Sequence, residues 1–377
     1  MAGIYIHIPF CKQACHYCNF HFSTSLAMKN DFTVALLKEL DLRADYIQND
    51  SVETIYFGGG TPSILPGGEI AAILQSIRAH FSLAPDAEIT LEANPDDINP
   101  DKLNLWKKAG INRLSIGVQS FFREDLLWMN RAHNEKQALS AVLEAQAAGI
   151  DNISIDLIYG IPGMSDENWK TNLGRAISLE VPHLSCYALT VEPKTALYKK
   201  IKEGKTREVV PEDQARQFLQ GILSLEEAGY EHYEISNFAR PGKRSRHNSA
   251  YWQSKKYLGL GPSAHSFNGK TRQWNIANNS RYIQSLANHE SCFEIETLRP
   301  VDMLNEYIMT SLRTMEGLDL QHIMRAFGPA RGNLLEKNAA RFIAQEQMKK
   351  EDEKLVLTSK GKLFADGIAG ELFFVDG

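Results

Sequence analysis

Residues 9–18 read PFCKQACHYC and place Cys11, Cys15 and Cys18 on one short segment. The spacing C-x3-C-x2-C brings three thiolates close enough together to hold a single inorganic centre. A [4Fe–4S] cube usually takes four cysteine ligands, one for each iron, so a loop with three leaves one iron open. A zinc site is the alternative, because zinc accepts mixed Cys and His ligands at similar spacings. The histidines that could complete a zinc site are His7, His16 and His21.

The first 190 residues alternate short apolar runs, which predict strands, with stretches of helical periodicity. The predicted strands are Ile4–Ile8, Thr54–Phe57, Ile89–Ala93, Arg113–Val118, Ile153–Ile158 and His183–Leu189. The predicted helices between them include Asn134–Ala148 and Glu167–Leu179. Repeated strand–helix units indicate an α/β fold with a parallel sheet, and about six units predict a partial (β/α)6 TIM-like barrel rather than a closed one.

Three conspicuous segments follow predicted strands: the cysteine loop, GGGTPS at residues 58–63 and EANPDD at residues 92–97. Chemistry in such folds takes place at the carboxyl ends of the strands, so we expect these segments to meet. Glycines there let the backbone come close to a ligand. Four polar residues also fall at or just beyond strand ends: Glu92, Gln119, Arg131 and Asp156. Each is ambiguous alone, but their convergence on one barrel mouth predicts a binding site.

The second half of the chain has a different pattern. We predict that residues 1–230 form the barrel and that residues 231–377 form a C-terminal region. From about residue 300 that region reads as a small helical, winged-helix-like module. Its ending KLVLTSKGKLFADGIAGELFF predicts two strands flanking a short helix. The acidic balance of the chain favours an interaction or lid role for this module over DNA binding.

The composition is that of an ordinary globular protein, with 377 residues, 43% hydrophobic and 23% charged. A net charge of −5 argues against a general nucleic-acid binder, which needs a basic face. No apolar run approaches the length of about 18 residues that a membrane span requires, and no signal peptide is recognisable. Five cysteines, three of them in one loop, do not suit a disulfide scaffold. We therefore expect a protein of the reducing cytoplasm.

The motifs resemble those of radical S-adenosylmethionine (SAM) proteins, specifically the coproporphyrinogen dehydrogenase-like branch. YIHIPFCKQACHYCNF resembles their cluster loop, and YFGGGTPS, LEANP, RLSIGVQSF, IDLIYGIPG and YLGLGPSAHSF recur in the branch. The resemblance implies that Cys11, Cys15 and Cys18 ligate a [4Fe–4S] cluster whose open iron binds the methionine moiety of SAM. By matched position it implies a SAM site lined by Tyr5, Tyr17, Gly59, Gly60, Thr61, Glu92, Gln119, Arg131, Asp156 and Ala188.

Two functions of this branch compete: a haem chaperone, and an oxygen-independent coproporphyrinogen III dehydrogenase that oxidatively decarboxylates two propionates. The dehydrogenase loop resembles C-x3-C-x2-C-x-C, whereas this chain has Phe20 at the last of those positions. The dehydrogenases also carry a substantial segment ahead of the loop, and only ten residues precede Cys11 here. These differences favour the chaperone, so we do not expect dehydrogenase activity and assign no catalytic residue.

The segment HNSAYW at residues 247–252 resembles the haem-binding motif of the chaperones. His247 would be an axial ligand of the haem iron, and Tyr251 and Trp252 could pack on the porphyrin face. The alternative is a histidine satisfied within the core. Cations just upstream could pair with haem propionates: Arg240, Lys243, Arg244 and Arg246. His265 is a second candidate ligand, but it recurs in both classes and does not discriminate them.

The expected cofactors are therefore a [4Fe–4S] cluster, SAM and haem. The expected partners are haem itself, haem-requiring respiratory proteins and, in a homodimer, a second copy of the chain. Neither nucleic acid nor a membrane span is expected.

Overall fold

The computed structural model describes residues 2–47 and 50–375, and in it the early apolar runs form parallel strands. These strands are β1 Ala2–Ile8, β2 Val52–Gly59, β3 Leu83–Ala93, β4 Arg113–Gln119, β5 Ile153–Tyr159 and β6 His183–Ala188. Each strand pairs in parallel with the next one in the chain. The strands are apolar and largely buried because a parallel sheet in such folds is covered on both faces. The predicted α/β fold with six parallel strands is confirmed.

Helices connect these strands: α1 Lys29–Leu42, α2 Gly67–His80, α3 Pro100–Ala109, α4 Arg123–Trp128, α5 Glu135–Ala147 and α6 Asp166–Ser178. Local sequence sets their ends. The Asn134 side chain accepts hydrogen bonds from the first turn of α5, and the Gln137 side chain accepts from the Asn134 N–H, which makes a capping box. At the end of α3, Gly110 has φ 109°, the left-handed conformation that glycine adopts without strain.

The sheet continues beyond both edges of this parallel core, and the sequence did not predict these extensions. After α7 Ala196–Lys202 and α8 Pro211–Glu227, the strands β7 Glu231–Glu234 and β8 Asn237–Ala239 extend the sheet beside β6. The chain then passes through α9 Arg246–Trp252 to the opposite edge, where β9 Lys256–Leu260 lies parallel to β1. The remaining elements of this edge are β10 His265–Phe267, β11 Thr271–Asn275, α10 Asn279–Ala287 and β12 Phe293–Thr297.

The last 75 or so residues form a module with its own hydrophobic cluster, which begins at Leu304. Its elements are α11 Pro300–Leu312, β13 Leu318–Asp319, α12 Leu320–Phe327, α13 Pro329–Ala344, β14 Met348–Glu351, β15 Lys354–Leu357, α14 Ser359–Lys362 and α15 Ala365–Glu371. The helical content and the small sheet ordered β13–β15–β14 agree with a winged-helix-like module. The domain boundary at residue 230 stays a prediction, although strands as far as Thr297 continue the main sheet.

The predicted ending of two strands flanking a helix is wrong. The strand β15 pairs with β14, which precedes it, and the stretch after α14 forms the helix α15 instead of a second strand. The reason is the spacing of its apolar residues: Ala365, Ile368, Ala369 and Leu372 are all buried and follow the helical period. In the described part of the chain, no helix is long and apolar enough to cross a membrane.

Candidate functional site

A cavity of about 1150 Å³ opens at the carboxyl ends of the parallel strands. It is lined by the cysteine loop, the glycine turn after β2, the ends of β3 to β6 and part of the C-terminal module. Most of the predicted site residues meet here: Cys11, Cys15, Tyr17, Cys18, Gly59, Gly60, Thr61, Glu92, Gln119, Arg131, Asp156 and Ala188. Tyr5 and His247 do not line the cavity.

Two of the three cysteines of the loop are held by contacts from other parts of the barrel. The Thr61 hydroxyl donates to Cys11 Sγ at 3.4 Å, and Arg131 Nη1 donates to Cys15 Sγ at 3.3 Å. Burial raises the pKa of the Cys11 thiol to about 11 and also raises the pKa of Cys18. Because metal ligation requires the thiolate, occupation of this loop by a metal centre would release protons.

The arrangement of donors fits a cluster better than it fits zinc. Each candidate histidine is hydrogen-bonded elsewhere: His7 Nε2 with the His21 carbonyl at 2.8 Å, His16 Nδ1 with the Trp128 carbonyl at 2.8 Å and His21 Nε2 with Asn279 Oδ1 at 2.7 Å. Within residues 2–47 and 50–375, no three Cys, His, Asp or Glu side chains converge closely enough to hold one ion. A cube bonds each cysteine through a different iron, so its ligands stand further apart.

The glycine turn after β2 packs directly against the start of the cysteine loop. A Cβ at Gly60 would lie 2.7 Å from the carbonyl oxygen of Phe10 and 2.8 Å from that of Ile8. Gly59 has φ 102°, and a Cβ there would lie 2.6 Å from the His7 ring. Only glycine fits at these two positions, so the turn can bring its backbone to the floor of the cavity.

Two partly buried carboxyl groups, Glu92 and Asp156, lie at the ends of β3 and β5, close enough to influence each other electrostatically. Burial raises the pKa of Glu92 to about 7 and that of Asp156 to about 6. Tyr56 Oη donates to Glu92 at 2.7 Å, and Ser115 Oγ donates to Asp156 at 3.4 Å. Their remaining oxygen lone pairs can accept hydrogen bonds from the hydroxyl or ammonium groups of a ligand.

Unpartnered polar atoms in the same wall indicate that the site is built for a ligand. Gln119, at the end of β4, has φ 66°, and its buried Oε1 has no hydrogen-bond partner among the described residues. Arg131 donates to Asn94 Oδ1 at 2.7 Å and to the Gly117 carbonyl at 2.9 Å, while its buried Nε is unpartnered. A strained backbone and unsatisfied polar atoms are usual at functional sites, so these residues fit the predicted SAM site.

Tyr5 and His247 lie in the barrel interior, beneath the cavity. A Cβ at Gly58 would come within 3.0 Å of the Tyr5 ring, which places this ring under the glycine turn. His247 is only 2% exposed and stacks on the Tyr56 ring at 5.0 Å. Its two ring nitrogens are both engaged, Nδ1 with Thr54 Oγ1 at 2.8 Å and Nε2 with Tyr251 Oη at 3.0 Å. Burial lowers the pKa of His247 to about 3, so the ring is neutral.

The predicted propionate-binding cations near His247 are mostly engaged. Arg244 pairs with Glu231 at 3.1 Å, and Arg246 pairs with Asp86 at 3.1 Å. Arg240 lies over the Tyr230 ring at 4.2 Å, whereas Lys243 is exposed. His265 is also exposed, on β10, and does not line the cavity.

The C-terminal module contributes residues that sequence reasoning missed. It lines the cavity with Arg313, Lys362, Leu363, Phe364, Ala365, Asp366 and Gly367. Arg313 donates to the buried Glu234 of β7 at 3.1 Å, and Lys362 Nζ donates to His232 Nδ1 at 2.9 Å. No local pattern marks these residues, because only the packing of the module against the barrel brings them to the site.

The fold and the three-cysteine loop at the barrel mouth define a radical SAM protein, and comparison with known families agrees. The model of the radical SAM superfamily matches residues 5–174, and that of the HemN C-terminal domain matches residues 298–364. The chain also resembles the solved structure of coproporphyrinogen III oxidase (HemN) from Escherichia coli, described as a radical SAM enzyme. The TM-score is 0.86 at 25% identity, over 99% of this chain and 90% of that one.

Curated relatives match nearly the whole chain. Heme chaperone HemW of Mycobacterium tuberculosis is 35% identical, over 98% of this chain and 94% of the relative. HemW of Escherichia coli is 35% identical over 99% of this chain and 98% of the relative, and HemW of Bacillus subtilis is 33% identical over 98% of both. The chain therefore belongs to the HemW family of radical SAM proteins.

Proposed function

We propose that this chain is a haem chaperone that binds haem, holds a [4Fe–4S] cluster with SAM and delivers haem to respiratory proteins. The end-to-end similarity to proteins named heme chaperone HemW carries this proposal. We place the protein in the cytoplasm, because its described cysteines form no disulfide and a reducing compartment suits such a chain.

Phe20 supports the chaperone over the dehydrogenase. In the branch that decarboxylates coproporphyrinogen, the cluster loop resembles the pattern C-x3-C-x2-C-x-C. The last cysteine of that pattern corresponds to Phe20 here. The Phe20 ring is 66% exposed and lines the cavity beside the cluster loop. A phenyl ring in that place offers apolar contact area in a position where a thiol would offer a ligand or a redox group.

Cys11, Cys15 and Cys18 would hold the cluster in this proposal. When bound, a cluster with one open iron supplies the site that anchors SAM and the electron for cleaving its sulfonium. The protein's own contribution is orientation: the hydrogen bonds from Thr61 to Cys11 and from Arg131 to Cys15 fix the thiol positions. Such outer contacts commonly tune a metal centre as well as place it.

The remaining residues of the proposed SAM site form two walls, one with carboxyl groups and one with neutral groups. Glu92 and Asp156 can accept hydrogen bonds from an ammonium or from ribose hydroxyls. Gln119 Oε1 lacks a partner and can accept a further bond. The Gly59–Gly60 turn presents backbone where no side chain fits, and this allows close approach by the ligand.

His247 would ligate haem only after a local opening. In the described conformation its Nε2 is bonded to Tyr251 and its Nδ1 to Thr54, so ligation requires one of these bonds to break. The helix α9 has seven residues, and a short helix at the surface of the barrel can open at lower cost than the sheet. Axial ligation by His247 therefore belongs, in our proposal, to an open state of α9.

Anaerobic reconstitution with iron and sulfide tests the proposed function. The reconstituted protein is incubated in parallel with haem and with coproporphyrinogen III plus SAM and a reductant. We expect stable haem binding and no protoporphyrinogen. Catalytic formation of the decarboxylated product would show that the chain is a dehydrogenase of haem synthesis instead.

A further inference from the structure

The cavity extends beyond the residues assigned to the cluster and SAM, toward the C-terminal module. Its volume of about 1150 Å³ exceeds the range of roughly 300–1,000 Å³ that is usual for one small-molecule ligand. The outer part presents exposed aromatic rings: Phe20 of the cysteine loop, and Phe364, which is 54% exposed, between α14 and α15. Apolar side chains exposed inside a cavity indicate a ligand that covers them.

Lys362, at the end of α14, is the cation of this outer wall that forms no salt bridge among the described residues. Its ammonium donates to the neutral ring of His232, and no carboxylate within residues 2–47 and 50–375 forms an ion pair with it. Burial lowers the pKa of Lys362 to about 8, against weaker opposing effects of Glu226 and Glu234. A half-buried ammonium without a counter-ion would gain from an anionic ligand.

The other charges that the C-terminal module contributes to this wall are already paired. Arg313 donates to Glu234 Oε1 at 3.1 Å and to Asp366 Oδ1 at 2.7 Å, so its guanidinium lies between two carboxylates. Two carboxylates of the outer cavity would face an incoming anion: Asp366, which Arg313 compensates, and Glu212 of α8, which is exposed. Among the cations of the module that line the cavity, Lys362 is thus the one free to meet an anion.

We propose that Lys362 is a carboxylate subsite, which receives a propionate of haem while the porphyrin packs against Phe20 and Phe364. This inference rests on the proposed function and deepens it by placing haem in the cavity when α9 is closed. The ligand chemistry follows from the wall: exposed aromatic rings suit a porphyrin face, and an ammonium without a salt bridge suits one carboxylate. Haem combines both features.

The test compares haem with haem dimethyl ester, in which both propionates are neutral. Binding is titrated by Soret absorbance on the reconstituted full-length protein in the presence of SAM. We expect the wild type to bind haem at least about tenfold more tightly than the ester, since a charged hydrogen bond is lost with the ester. Lys362→Met should abolish this preference, and Lys362→Arg should retain it.

Lys360→Met provides a matched control, because Lys360 lies in the same short helix but is exposed and donates to the Gln345 carbonyl. Lys360→Met should bind haem and the ester as the wild type does. All variants should keep the cluster spectrum and the midpoint of thermal unfolding of the wild type. A Lys362→Met protein that keeps the preference, or a wild type that binds both compounds equally, would overturn the inference and leave the chaperone function standing. A wild type that binds neither would overturn both.

Discussion

At the scale of single residues, the two carboxyl groups at the ends of β3 and β5 make the site sensitive to pH. Burial raises the pKa of Glu92 from its ordinary 4.5 to about 7, and the neighbouring Asp156 raises it further, while Tyr56 opposes the shift with a hydrogen bond. Without a bound cation, this carboxyl holds its proton more tightly in the folded chain than in the unfolded one.

The pH dependence of stability follows from that shift. Because the folded pKa is the higher one, the stability that Glu92 contributes is present below about pH 4.5 and is lost as the pH rises through about 7. The loss amounts to about 3 kcal/mol by pH 8, from the size of the shift. Glu92→Gln should remove most of this pH-dependent loss of stability, as measured by urea unfolding of the cluster-free protein between pH 4.5 and pH 8.

An exposed glutamate, Glu208, provides the control for this series. Glu208→Gln should follow the wild-type curve across the whole pH range. Parallel curves for the wild type and Glu92→Gln would show that Glu92 does not hold its proton in the folded state.

Gln119 is predicted to trade stability for binding. Its φ of 66° and its unpartnered Oε1 both cost free energy in the empty protein. Gln119→Gly should therefore stabilise the fold by about 1 kcal/mol, because glycine adopts this conformation freely. It should also weaken SAM binding about tenfold, because the hydrogen bond offered to the ligand is gone. Thermal unfolding and calorimetric titration of the reconstituted protein measure the two effects.

Ser254→Gly is the matched control, since Ser254 also has a positive φ, 51°, but lies in an exposed turn after α9. A similar gain in stability is expected there, with unchanged SAM affinity. If Gln119→Gly left SAM affinity unchanged as well, Gln119 would have no part in the site.

At the scale of elements, α9 is a short helix that closes the barrel interior from below. The His247 ring of α9 reaches between Thr54 and the Tyr56 ring. The backbone N–H of His247 donates to Oε1 of the buried Glu88 at 3.0 Å. On the outer side, the Arg313 guanidinium lies 5.2 Å from the Trp252 ring centre, which links α9 to the C-terminal module. The motif thus has a structural role in the closed state, whatever its role in haem binding.

Two variants of α9 separate these roles. We expect His247→Ala to weaken haem binding and to change the Soret spectrum, because the proposed axial ligand is lost. Tyr251→Phe should keep the spectrum and bind haem at least as tightly, because it removes the competing partner of Nε2 and leaves the imidazole. An unchanged Soret spectrum in folded His247→Ala protein, verified by circular dichroism, would remove His247 as the axial ligand.

At the scale of the whole molecule, the cysteine loop lies where several distant segments meet. The Ala14 carbonyl accepts from Asn130 at 2.8 Å, the Leu197 N–H donates to the His16 carbonyl at 2.7 Å, and His21 bonds with Asn279. The cysteine loop is therefore bonded to three segments that are far apart in the chain. A role of the cluster in assembly is consistent with such a position.

If the cluster serves assembly, Cys11→Ala should abolish dimerisation and leave haem binding largely intact. Light scattering after size-exclusion chromatography and Soret absorbance measure the two properties on the reconstituted protein. Cys292→Ala is the control, because Cys292 is buried in the core and does not line the cavity. Simultaneous loss of haem binding and of the cluster would contradict this separation of roles.

The sequence alone determined the features that depend on neighbours in the chain. The cysteine spacing of residues 11–18 marks the loop that we propose holds the cluster, and continuous apolar runs predict the six parallel strands because both faces of that sheet are buried. The polar residues after those strands were predictable as a group, because parallel strands bring their carboxyl ends to one edge.

Only the tertiary structure decided the rest. The short strands from β7 to β12 carry little periodicity and form through pairing with distant partners such as β1 and β6. The sequence motif around His247 is the same whether the ring is buried or free. It is the packing of α9 that engages both ring nitrogens. Lys362 enters the cavity because the C-terminal module docks on the barrel, and a contact between segments so far apart in the chain leaves no local pattern in the sequence.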